Sequence, residues 1–248
     1  MRLPRVAGAL SAAGLITALV LGSGVASAQQ KAGSSTTDAH LVQVGTYGYL
    51  TQPDFTGIMP IEDVVRGQTM GLGTFENLDG ELVMLGGVVY QVRPDGTPRV
   101  ADLSTRTPFL QAIRFRPQRS VPVPPGTPCA DLPRLITQAA EKENGLIAVR
   151  VRGTFSNLTT RSVSADPPPF QPLSQTIAEQ TVFELPQRKA ALVGFWQGRD
   201  ALGIGQDGLH LHALTADKRA GGHVLSCTAG ADVQLSVQPV PSVTVLTP

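Results

Sequence analysis

The chain has 248 residues, with 20 lysines and arginines set against 19 aspartates and glutamates, and two cysteines. A formal charge of +1 with no basic stripe or block argues against nucleic acid as a partner, and the composition is that of an ordinary globular protein. The length is enough for one large domain or two small ones.

The first element is an export signal. "MRLPRVAGALSAAGLITALVLGSGVASAQQ" opens with Arg2 and Arg5, continues through an apolar run from Ala7 to Leu21, and reaches the small-residue site Ala26-Ser27-Ala28. Cleavage is expected after Ala28, so residues 1–28 form the signal peptide and the mature chain is periplasmic or secreted. The apolar run is short and no charged stop-transfer cluster follows it, so no membrane association is expected after cleavage. Losing Arg2 and Arg5 brings the formal charge to about −1. Export puts Cys129 and Cys227 where a disulfide can persist, and a bridge between them is favoured over two free buried thiols. Neither belongs to a C-x-x-C pattern, which leaves thiol redox chemistry without support.

Residues 29–41 are small and polar and read as a loose lead-in in which His40 is solvated. "MPIEDVVRGQ" holds a short helical turn ending at Gly67. From Glu81, "ELVMLGGVVYQVRPDGTPRVADL" reads as a β-meander punctuated by Gly86-Gly87 and Pro94-Asp95-Gly96. Arg116 to Pro133 is Pro-rich and reads as an extended loop. Asp131 then caps a helix in which Leu132, Leu135, Ile136, Ala139 and Ala140 recur at helical spacing, with Gly145 as its stop. "LIAVRVRGTFSNLTTRSV" alternates Ile147, Val149 and Val151 with Ala148, Arg150 and Arg152, a strand whose two arginines are read as solvated. After "ADPPPFQPL" β character resumes. The expected fold is α+β. Residues 29–165 form a mixed-sheet N-terminal domain with one clear helix, and residues 166–248 form a β-barrel-like antiparallel domain carrying a metal site.

The metal site is read from "GLHLHALTADKRAGGHVL", which gathers three of the four histidines. Side chains at i and i+2 of a strand share a face, which sets His210 and His212 side by side at about 7 Å. "TADKRAGG" has the residues of a reversing loop, able to lay His223 beside them. Three neutral imidazoles suit a divalent transition metal, zinc first, with a coordination position left for water or substrate. A zinc hydrolase, a cupin-like metalloprotein and a metal carrier all share this pattern, and so would three unrelated histidines.

A wider pattern is more specific. "LGTFENLDGELVMLGGVVYQV", "GTFSNLTTRSV", "PPPFQPL" and "GLHLHALTADKRAGGHVL" occur in this order, and together they resemble the alpha-acetolactate decarboxylase family from about Val44 to Pro248. The resemblance implies that His210, His212 and His223 bind a catalytic zinc (Zn2+), that Glu81 is an active-site carboxylate with Thr74 near it, and that Arg161 is the active-site arginine. It implies removal of the carboxylate of 2-acetolactate to give acetoin and CO2, with the small-molecule substrate chelated by zinc and zinc acting as electron sink. Arg161 is suited to orient the carboxylate and Glu81 to move the proton. The sequence carries no motif for pyridoxal, thiamine or flavin. A homodimer is also implied. Family members usually continue into a tail that returns a second glutamate to the site, whereas here the only carboxylate after His223 is Asp232. Leu209 and Ala213 stand where aromatics are usual, and Ser226 where an acid is common. These departures keep two alternatives open: a non-catalytic zinc or hydroxy-keto-acid binder, and a decarboxylase of a related 2-hydroxy-3-keto acid.

Overall fold

The computed structural model describes residues 39–201 and 203–248; the expected export segment and the lead-in up to residue 38 lie outside them. In chain order the strands are β1 (His40–Val44), β2 (Met59–Pro60), β3 (Met70–Thr74), β4 (Glu81–Leu85), β5 (Val88–Val92), β6 (Pro98–Val100), β7 (Arg106–Thr107) and β8 (Leu110–Ile113). They continue as β9 (Arg119–Pro122), β10 (Leu146–Ser162), β11 (Thr181–Glu184), β12 (Arg188–Gln197), β13 (Gly208–Thr215), β14 (Gly221–Ala229), β15 (Gln234–Val240) and β16 (Ser242–Leu246). The helices are α1 (Tyr47–Leu50), α2 (Ile61–Val65), α3 (Leu132–Ala140) and α4 (Leu173–Ala178).

One sheet has the order β16-β1-β8-β3-β4-β5-β6, with β4, β5 and β6 forming the meander expected from sequence. The other runs β12-β13-β14-β10-β15-β9, and because β12 also pairs with β10, four antiparallel strands close into a ring. This is the barrel expected of the C-terminal part.

Strand β10 makes the closure possible. Its first half pairs with β12 and β15, and its second half with β14 and β11. Between the halves the register with β14 shifts at Phe155/Asn157 and again at Thr159/Thr160; such bulges bend a strand and increase its twist. Just before the bend, a Cβ on Gly153 would come within 2.6 Å of Asp232 O and of Val233 Cα, so only glycine admits that approach.

Period-two alternation sorts the side chains into layers. In β4, Val83 faces the other sheet and packs with Leu72, Val193 and Phe195, while Leu82 and Met84 face away and pack with Ile61 and Val64 of α2. In β13, Leu211 and Ala213 join Leu158, Leu192 and Ile136 of α3, whereas Leu214 turns to the layer between the sheets. Each fully buried Leu, Val or Phe contributes about 1.5–3 kcal/mol. The site therefore lies in the layer that Glu81 and Val83 face from one side and His210, His212 and Leu214 from the other.

Several expectations need correction. His40 is exposed but belongs to β1, where Ser242 and Thr244 bond its ring at 2.9 and 3.0 Å. The Pro-rich stretch contains β9, an edge strand on β15 whose Pro122 is tolerated because an edge can spare a donor. Asp131 occupies the position before α3 but makes no capping bond, and the helix ends at Ala140, ahead of Gly145, with Glu141 in the left-handed conformation. Arg152 is exposed as expected, yet Arg150 is half-buried with its guanidinium 5.0 Å from the centre of the Phe115 ring. Sheet membership does not change at residue 165: β10 precedes it and centres the second sheet, while β16 follows it and pairs in parallel with β1. No helix among the described residues is long and apolar enough to cross a membrane.

Candidate metal centre

The β13–β14 hairpin sets the register that the histidines need. Thr215 closes its turn: the hydroxyl accepts from Ala220 N at 3.0 Å and donates to Asp217 at 2.6 Å. The turn brings His212 opposite His223, and β10 places Arg161 opposite His223 on the other side. Three neighbouring strands thus contribute one row of side chains, His212, His223 and Arg161, with His210 two residues along β13. Across the layer, Thr74 and Glu81 are paired on β3 and β4.

The ring nitrogens converge. His210 Nε2 lies 3.2 Å from His212 Nε2 and 3.2 Å from His223 Nδ1, and those two are 3.3 Å apart. Zinc–nitrogen bonds of about 2.0–2.1 Å in a tetrahedron separate neighbouring ligands by about 3.3 Å, so the spacing fits such an ion. His212 Nδ1 donates to Leu82 O at 2.8 Å, which leaves the lone pair on Nε2 and aims it at the centre. His210 Nδ1 is buried without a partner among the described residues, so no contact fixes its tautomer. Burial pulls all three imidazoles down, His210 to about 3 with the Arg161 charge adding to the effect; neutral rings are the form a metal requires. Among the described residues, His210, His212 and His223 are the group able to hold a metal ion.

Beside them Arg161 Nη1 donates to Glu81 Oε1 at 2.7 Å, and Glu81 Oε2 approaches His212 Nε2 to 3.4 Å. Glu81 is 5% exposed. Burial raises its pKa to about 7 against the opposing pull of Arg161. Thr74 is also buried, and its hydroxyl donates to Gly80 O at 2.8 Å across the turn leading into Glu81. All six side chains line one cavity of about 280 Å³. Its other walls include Leu50, Leu78, Phe109, Val163 and Leu225.

The structure thus gathers the six residues expected to bind metal or act on substrate, from strands as far apart as β3 and β14, whereas Leu209 and Ser226 line a different cavity and Ala213 packs behind β13. A family model described as alpha-acetolactate decarboxylase matches residues 41–248. The chain belongs to the alpha-acetolactate decarboxylase family. The alpha-acetolactate decarboxylase of Raoultella terrigena is 34% identical over 188 residues, which cover 76% of this chain and 73% of that one. The Klebsiella aerogenes enzyme is 32% identical, covering 76% and 72%. The crystal structure of alpha-acetolactate decarboxylase from Bacillus subtilis strain 168 has a TM-score of 0.80 at 26% identity, covering 84% of this chain and 89% of that chain. The family match includes every strand that supplies the centre.

Sequence reasoning missed much of the wall. Tyr47 and Leu50 come from α1, Leu173 and Ile177 from α4, and Gln180 and Gln206 from the segments before β11 and β13. Only α4 had a readable signal: Leu173 and Ile177 stand four apart directly after Pro172, the pattern of a short amphipathic helix.

Proposed function

We propose that this protein removes CO2 from 2-acetolactate to form acetoin, with zinc held by His210, His212 and His223. The observation that carries the reading is the set of three neutral ring nitrogens 3.2–3.3 Å apart, with the Arg161–Glu81 pair beside them lining a small, mostly apolar cavity. Zinc, when bound, supplies a Lewis acid that polarises the hydroxyl and ketone oxygens of the substrate and accepts the charge released with CO2.

The chain's own residues account for the other requirements. Arg161 carries a permanent charge and five N–H donors; one contacts Glu81, and others remain to hold the substrate carboxylate until it departs. Glu81, raised to about 7, can hold a proton on one carboxyl oxygen near neutral pH and deliver it to the carbon that has lost CO2. Thr74 positions that carboxyl, because its hydroxyl ties down Gly80 immediately before it. Leu50, Leu78 and Val163 receive the methyl groups and exclude water, which strengthens every charge interaction inside.

The deciding experiment measures acetoin from racemic 2-acetolactate after chelation and zinc restoration, beside His212→Ala and Glu81→Gln. Zinc-dependent acetoin that is lost in both variants supports the reading. Stoichiometric zinc without acetoin returns the site to a binding role, and acetoin unaffected by chelation rejects the metal.

Export of the mature chain is part of the reading, supported by the charge and hydropathy pattern of residues 1–28 and by the Cys129–Cys227 disulfide, which belongs in an oxidising compartment. Amino-terminal sequencing of the extracytoplasmic protein should begin at Gln29. A homodimer rests on the family resemblance, and sedimentation of the mature chain tests it.

A further inference from the structure

We infer that three buried glutamines, Gln43, Gln111 and Gln197, are positioning residues that set one wall of the metal cavity by clamping the turn at Ile204-Gly205. Gln43 and Gln111 are 0% exposed and Gln197 is 2% exposed. That burial is unusual for side chains with four hydrogen-bonding sites each, because an unpartnered amide pays a desolvation penalty in the interior.

Gln43 and Gln197 bond the turn directly and Gln111 reaches it through Gln43, while Gln111 Oε1 and Gln197 Nε2 are without a partner among the described residues. Gln43 and Gln111 are cross-strand partners on β1 and β8, and Gln111 Nε2 donates to Gln43 Oε1 at 2.7 Å. Gln43 Nε2 donates to Gly45 O at 2.8 Å and also to Ile204 O. From the other sheet, Gln197 at the end of β12 accepts the Gly205 N–H at 2.9 Å. A Cβ on Gly205 would lie 2.2 Å from Gln197 Nε2 and 2.7 Å from Gln111 Nε2, so both amides enclose the turn and any side chain there must push them aside. Tyr47 N also donates to Ile204 O, at 3.3 Å.

The clamped turn joins two parts of the cavity wall. Gln206, the next residue, lines the cavity, and so does Tyr47, whose backbone holds the same carbonyl. Gly208 then opens β13, two residues before His210. None of the three glutamines is among the cavity-lining residues, so they act through Gln206 and Tyr47 and not by touching a ligand. Loss of the clamp should weaken interactions made equally in the ground and transition states, which is a KM effect.

The kinetic arm rests on the acetolactate reading; the exchange arm does not. In the zinc-loaded full chain, Gln197→Leu is expected to raise KM for 2-acetolactate about tenfold while kcat stays within about threefold and zinc stoichiometry is unchanged. Amide exchange across residues 203–206 should accelerate at least about tenfold. Gly205→Ala, which keeps all three glutamines in the sequence but pushes the Gln197 and Gln111 amides aside, should give the same KM-against-kcat split and covers the case in which Gln197→Leu fails to fold. Faster exchange with unchanged KM overturns the positioning role, as does a fall in kcat at constant KM. A wild-type chain that makes no acetoin defeats the functional reading, and in that event unchanged exchange in Gln197→Leu or Gly205→Ala overturns the clamp while faster exchange upholds it.

Discussion

Replacing Cys129 and Cys227 together by alanine removes a link between residues 98 apart in sequence. The bridge fastens the turn that leads into α3 to strand β14, four residues beyond His223, where Cys227 stands opposite Leu158 of β10. A closed loop of this size removes chain entropy from the unfolded state equivalent to about 4.7 kcal/mol. With a urea slope of about 2 kcal/mol/M, the unfolding midpoint of the double variant should fall by about 2 M. The titration is followed by circular dichroism with metal chelated from both proteins, because zinc bound only by the native state would add its own linkage. Dithiothreitol treatment of the wild type should reproduce the shift. A midpoint within about 0.5 M of the oxidised wild type would refute the reasoning, since the bridge would then constrain the unfolded chain far less than its span requires.

Other expectations follow from the centre. Arg161→Met takes away the cation that lowers the Glu81 pKa, so the buried carboxyl stays protonated and loses its donor, and should cost about 1–3 kcal/mol of stability, whereas Arg161→Met/Glu81→Met should recover most of that in thermal melts while acetoin formation stays lost in both. Gly194→Ala puts a Cβ 1.9 Å from His210 O and must force β12 and β13 apart; zinc affinity by competition with a chelator should fall at least about tenfold, with a stability loss of about 1–3 kcal/mol. Zinc at about 100 times its dissociation constant should stabilise the wild type by about 2.7 kcal/mol, and His212→Ala should abolish the effect in the same melt.

Local signals made a large part of this protein legible. The alternation in "HLH" puts two imidazoles on one face whatever lies around them, and the turn residues after Thr215 supply the hairpin that adds the third. The β4–β6 meander and α3 were readable for the same reason, since periodicity and turn chemistry act over a few residues. The ordered blocks carried the family, and with it Glu81, Thr74 and Arg161.

What tertiary structure decided is everything that depends on distant segments packing together. The β1–β16 pairing joins residues about 200 apart, and no local pattern announces it. The bend in β10 becomes visible only with its four partner strands in place. Glu141 ended α3 ahead of the glycine that propensity favours, and Arg150 found the Phe115 ring in place of water. The contact of Glu81 with Arg161 crosses from one sheet to the other, and burial there is what raises the Glu81 pKa. Residue type and spacing could nominate the groups at this centre, but their distances and charge states belong to the interior that both sheets enclose.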